Sequence, residues 1–121
     1  MIENYKFYEG YRGEPEYVFC VVKNGDTVGK TSVWGGYFGD IIDTVEPLEN
    51  EWTSLAEYWQ LCIDFEEPYW KVPDLNQALS QLLQIDRSKL HFDESFEVLD
   101  LLIMLFRKAV EENSDIYIEY N

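Results

Sequence analysis

The sequence carries one histidine, His91, and two cysteines, Cys20 and Cys62. A single imidazole excludes HExxH and the other zinc sites built on paired histidines, because two rings must face one metal ion. A thiolate nucleophile needs a nearby base, and His91 could in principle serve either cysteine. The flanking residues oppose that role. Cys20 lies in Tyr17 to Val22, a run apolar on both faces, and Cys62 shares helical spacing with Leu55, Tyr58 and Trp59. Both thiols are therefore expected to be reduced core groups. Gly35-Gly36-Tyr37-Phe38-Gly39-Asp40 has the glycine density of a phosphate cradle, but the Lys and Ser or Thr of a P-loop are missing and Asp40 would repel phosphate. A turn leaving a strand is the expectation there. Asp40 and Asp43 offer carboxylates to a divalent cation, yet no EF-hand alternation of oxygen ligands surrounds them, and they are expected to be solvated. No cofactor and no metal is implied, and no catalytic set is assembled.

The informative feature is a distribution. Between Lys30 and Lys71 there is no basic residue, while Asp40, Asp43, Glu46, Glu49, Glu51, Glu57, Asp64, Glu66 and Glu67 are all acidic. Trp34, Trp52, Trp59 and Trp70, which are all 4 tryptophans of the chain, lie in the same stretch with Tyr37, Phe38, Tyr58, Phe65 and Tyr69. Carboxylates steer a basic partner towards a surface, and Trp and Tyr supply most of the desolvated anchors at interfaces. The expected partner-binding set is Asp40, Asp43, Glu46, Glu49, Glu51, Asp64, Glu66, Glu67, Tyr69 and Trp70. Trp59 is expected in the core. Tyr69 and Trp70 sit between Pro68 and Pro73, where a regular helix interior is disfavoured, and partial exposure is expected.

These residues must be positioned by a mixture of strands and helices. Tyr5 to Tyr8 is β-prone, and Tyr17 to Val22 reads as a central strand because it is apolar on both faces. Asn24-Gly25 is a hairpin turn signal, with Thr27 to Trp34 as the return strand, although Gly29 weakens its interior. Ser54 with Glu57 forms the pattern of a capping box for a helix from Ser54 to Ile63. Asp74 with Gln77 caps a second helix through Leu75, Ala78, Leu79 and Leu82. Asp93 opens a third, running to Glu112, with Phe96, Leu99, Ile103, Phe106 and Val110 on one face and Leu101, Leu102 and Leu105 widening it. Ile116 and Ile118 alternate with polar neighbours in a last strand. The order βββαααβ predicts one α+β domain over residues 1–121, an antiparallel sheet packed on a helical layer.

Composition narrows the function classes. The chain has 121 residues, 24 acidic against 9 basic, a formal net charge of -15, and 46% apolar with 17% aromatic residues. That apolar content is enough for a core and excludes the disordered class. The charge opposes binding to nucleic acid or anionic membranes, since both demand Lys and Arg against phosphates. No apolar run reaches membrane-spanning length, and the N-terminus lacks the basic and apolar regions of a secretory signal, so a cytoplasmic protein is expected.

In overall character, a small, very acidic α+β domain with an acidic aromatic segment and no catalytic set, the chain resembles the bacterial immunity proteins that neutralise nuclease toxins, including those of contact-dependent inhibition. The resemblance implies an antitoxin that binds a basic toxin domain, with carboxylates standing where substrate phosphates would sit. It implies no role for any single residue. Two other classes share parts of the pattern: an acidic mimic of DNA, which would space carboxylates evenly with fewer aromatics among them, and a Cys-dependent enzyme, for which the sequence offers no complete set of groups.

Overall fold

Alternation of apolar residues on both faces of the segment around Phe19 places it in the middle of a sheet, and that is where it lies. The computed structural model describes residues 1–64 and 69–121, and along 60–64 the backbone alone. Its elements are β1 (Ile2–Phe7), β2 (Glu16–Lys23), β3 (Asp26–Trp34), α1 (Gly35–Ile42), α2 (Leu55–Asp64), β4 (Tyr69–Lys71), α3 (Leu75–Leu83), α4 (Asp93–Glu111) and β5 (Asp115–Tyr120), with a 3-10 turn at Arg87–Lys89. The strand order is β1-β3-β2-β5-β4, with β2 central. The α+β class holds. The sheet, however, is mixed and not antiparallel: β1 runs parallel to β3, pairing Ile2 with Gly29 and Asn4 with Thr31. Its partner is the third strand and not the second, because the β2–β3 hairpin closes locally and leaves the far side of β3 open to the N-terminal strand.

The hairpin forms as its turn residues dictate. Asn24 and Gly25 have φ of 53° and 82°, the left-handed pair that a primed turn requires. Further along, Val21 pairs with Gly29 and Val22 with Thr27, so Val28 is an extra residue bulged out of β3.

Beyond β3 the expected turn is a helix. Gly35 to Ile42 forms α1, and its glycines answer to close packing: the Gly35 amide donates to the Pro15 carbonyl at 2.7 Å, and a Cβ on Gly36 would collide with the Trp34 indole. β4 is likewise additional to the expected order, a three-residue strand on β5.

The start of α2 is capped from elsewhere in the fold and that of α3 by its own N-cap residue. Ser54 (φ 54°) does not form a capping box with Glu57; its hydroxyl donates to the Asp74 carbonyl at 2.9 Å. The first amides of α2 are served by Gln81 of α3, fully buried, whose Oε1 accepts from Leu55 N at 2.9 Å while its Nε2 donates to the Thr53 carbonyl at 2.8 Å. Asp74 caps α3 as its position implies, accepting from Gln77 N at 3.0 Å.

The core lies between the sheet and the helices. Phe19 of β2 packs edge-on against Phe38 of α1 and Phe106 of α4, with Ile41, Leu82, Leu99, Leu102, Ile116 and Ile118 around them. The buried face of α4 is Ser95, Val98, Leu99, Leu102, Ile103, Phe106 and Ala109. It is rotated from the expected stripe: Phe96 is exposed and Val110 only half-buried. No helix among the described residues is long and apolar enough to cross a membrane.

Candidate functional site

Because α1 follows β3 without a loop, it carries Tyr37, Asp40 and Asp43 out from under Trp34 in successive turns. Trp34 stacks on Tyr11 (centroids 4.3 Å, planes 10° apart) and stands perpendicular to Tyr37 at 5.0 Å. Phe92, ahead of α4, meets both Trp34 and Tyr37 edge-on at 5.6 and 5.8 Å. The Tyr11 and Tyr37 hydroxyls share a hydrogen bond of 2.9 Å, and Trp34 Nε1 donates to Glu14 at 3.3 Å. Burial, that hydrogen bond and the negative charges of Glu94 and Glu97 push the Tyr37 hydroxyl well above its ordinary value. It is therefore a neutral hydroxyl in an acidic neighbourhood.

One turn along α1, Asp40 is not the solvated acid expected. Its side chain is 3% exposed, and the carboxylate accepts four hydrogen bonds: from His91 N (2.8 Å), Phe92 N (3.3 Å), Ser95 Oγ (2.7 Å) and the His91 ring at Nδ1 (2.7 Å). Burial raises its pKa, but hydrogen bonds from His91, Ser95 and the two backbone amides outweigh burial and hold it below the ordinary carboxylate value. Asp40 thus caps the start of α4 from another helix, where unsatisfied amides favour an anion. It cannot touch a partner directly; what it presents is His91, whose side chain is 83% exposed. With Nδ1 held by Asp40, the ring turns its Nε2 outward.

Asp43, the next acid of α1, is exposed and accepts from Trp59 Nε1 at 3.2 Å; Trp59 in turn stacks on Trp52 at 5.6 Å with planes 24° apart. Trp59 is therefore packed against the margin of the core, half-buried and with its indole tied to an acid, and not enclosed in the core as expected. Gly35, Gly36, Gly39, Asp40, Asp43, His91 and Phe92 line a shallow open depression between the two aromatic groups. The outcome is one continuous strip, Tyr11–Trp34–Phe92, then His91, then Asp43–Trp59–Trp52.

The other expected partner-binding residues fall variously. Glu46 is exposed, but Lys89 lies 3.9 Å from it, so a cation from outside the segment does reach the acidic stretch. Glu49 and Glu51 are exposed on a tight turn with Glu49 and Asn50 at φ 53° and 64°. Tyr69 is exposed and stacks on Tyr117 of β5 at 4.7 Å, while Trp70 is half-buried against Tyr58 at 4.8 Å. These two sit on the sheet edge, and among the described residues no hydrogen bond or ring contact joins them to the strip. Asp64 ends α2, its side chain outside the described residues; Glu66 and Glu67 lie outside them altogether.

Tyr11, Glu14, His91 and Phe92 were missed as members of this surface. Tyr11 and Glu14 precede the acidic segment, His91 and Phe92 follow it, and nothing in their spacing announces hydrogen bonds made across 20 to 52 positions. Among the described residues no hydroxyl or thiol is hydrogen-bonded to the His91 ring; Ser95, the nearest candidate, is spent on Asp40. Cys20 is buried in β2, where burial and then Glu119 push its thiol up and away from the thiolate form. The Cys62 side chain lies outside the described residues. Among those described, no cluster of three or more His, Cys, Asp or Glu side chains is placed to hold a metal ion.

No protein-family model, curated protein or solved structure matches the chain.

Proposed function

We propose that the protein is an immunity-type inhibitor acting in the cytoplasm, which binds a basic protein partner, a nuclease toxin domain, without a cofactor and without chemistry of its own. The observation that supports this reading is the strip itself. Aromatic edges from β3, α2 and the segment before α4 flank a shallow depression whose outward-facing polar groups are the Asp43 carboxylate and the His91 ring, with the Glu14 carboxylate beside it. A surface of acceptors among half-buried aromatics suits Lys and Arg side chains, which stack on aromatic rings and donate to carboxylates. The net charge of -15 adds a long-range field that speeds association with a cationic protein.

The test is inhibition. The toxin-sized product of the neighbouring gene is purified, its nuclease activity is measured, and this protein is titrated in. Stoichiometric loss of activity is expected, with association slowing as salt rises. Asp43→Asn with Trp59→Ala should speed dissociation at least about tenfold, the scale of an interfacial anchor. Undiminished nuclease activity at excess protein refutes the proposal. Full inhibition by this double variant, with a native-like melt, moves the surface elsewhere.

A further inference from the structure

The depression beside His91 is open because of one glycine that the fold does not require. Three of the eight residues of α1 are glycine, a weaker helix former than alanine. Two of them answer to packing: a Cβ on Gly35 would lie 2.9 Å from Pro15, and one on Gly36 would lie 2.3 Å from the Trp34 indole. Gly39 does not. It is helical, and a Cβ there meets nothing within 4 Å. The space in front of it is the depression between the two aromatic groups, about 370 Å³, which Gly39 lines together with Asp43, His91 and Phe92. A bare backbone of this kind admits a ligand to close approach.

What surrounds that space attracts a cation. Gly39 and Asp43, four residues apart, share one side of α1. The helix ends here, its C-terminal pole carries partial negative charge, and no basic residue stands in its last turn. Asp43 is exposed and in no ion pair among the described residues. The bond from Trp59 Nε1 at 3.2 Å fixes its carboxylate and leaves acceptor capacity over. The cations nearest His91 in sequence are already engaged, Lys89 with Glu46 at 3.9 Å and Arg87 with Asp100. Phe92 and the His91 ring, held by Asp40 at 2.7 Å, add ring surfaces to the depression. A guanidinium suits this set better than an ammonium, because it is planar, stacks on rings, sheds water more readily and donates two parallel bonds to one carboxylate.

We propose that the depression receives an arginine side chain of the partner, its guanidinium over Gly39 and hydrogen-bonded to Asp43. In taking that arginine from a basic protein, the proposal rests on the protein-binding reading above.

Titration of the isotope-labelled protein with Nα-acetyl-arginine amide, and with the corresponding lysine and citrulline amides, followed by NMR, tests the site by itself. The arginine probe should shift the Gly39 and Asp43 amides and bind at least about threefold more tightly than the lysine probe, with the uncharged citrulline probe weakest. Asp43→Asn should remove the preference for arginine over citrulline. Gly39→Ala should raise Tm by about 3 °C while weakening the arginine probe, the opposite of what a glycine required by packing would do. Gly39→Leu should keep a native-like melt and cost the arginine probe at least about tenfold by filling the depression. The proposal is overturned if the arginine probe leaves both amides unshifted, if arginine and lysine bind alike, or if Gly39→Leu binds arginine undiminished. A Tm that falls in Gly39→Ala also overturns it, since the glycine would then be structural. The nuclease titration separates the two readings. Inhibition that persists in full with Gly39→Leu sinks the arginine site and spares the inhibitor, whereas arginine binding without any inhibition supports the site and sinks the inhibitor.

Discussion

Replacing Asp40 by Ala removes the acceptor of four hydrogen bonds at once, at a side chain 3% exposed. Hydrogen bonds to a charged group are worth about 1.5–3 kcal/mol each, and donors left buried without an acceptor cost about 1–3 kcal/mol. The exposed His91 ring recovers its bond from water, whereas Ser95 is fully buried and the Phe92 amide opens α4, so the expected loss is about 3 kcal/mol. With unfolding entropy near 2.1 cal/mol/K per residue, a chain of 121 residues loses roughly 12 °C in Tm. The pH dependence gives a second reading of the same bonds. A carboxyl held lower in the folded than in the unfolded chain contributes stability that is fully present above the unfolded value, near about 4, and lost as pH falls through the folded value. Urea unfolding from pH 3 to 8 should therefore show a constant gap between native and Asp40→Ala protein above about pH 5, closing below about pH 4. His91→Ala, which removes only an exposed ring, should cost about 1 kcal/mol or less. A gap for Asp40→Ala below about 1 kcal/mol at pH 7, or one undiminished at pH 3, would refute the capping of α4 by Asp40.

Gln81→Leu keeps the volume but strands Leu55 N–H, while the Thr53 carbonyl keeps its bonds from the Ala56 and Glu57 amides, and chemical denaturation should show a loss of about 1–3 kcal/mol, against near neutrality if water fills in. Gly36→Ala drives a methyl into the Trp34 indole and should cost about 1–3 kcal/mol while dulling the near-ultraviolet dichroism of the aromatic cluster; an unchanged melt and spectrum would show that the indole moves freely. Cys20 should resist a thiol reagent in the native state from pH 7 to 9 and react on unfolding, and rapid native labelling would contradict its burial and raised thiol.

Local chemistry was legible wherever neighbours in sequence are neighbours in space. Asn24-Gly25 made its turn because few other residues tolerate two left-handed conformations in succession, and Asp74 capped α3 because its side chain reaches only its own helix start. The central position of β2 followed from apolar residues on both its faces, and the α+β class from the order of periodicities. What the sequence could not reveal depends on partners far along the chain. Asp40 and Asp43 look alike as acids three residues apart, yet one turn of α1 points the first inward to the start of α4 and the second outward to Trp59. The Ser54–Glu57 pattern was not realised because the Ser54 hydroxyl donates to the Asp74 carbonyl, 20 positions on, and the Glu57 amide is taken by the Thr53 carbonyl. The parallel pairing of β1 arose because β3 had a free edge, which no local signal records. Sequence determined most of the strands and helices, though neither α1 nor β4, and that the chain would be strongly acidic. Only the tertiary structure decided which acids face solvent, since burial and hydrogen-bond partners are properties of packed elements and not of spacing.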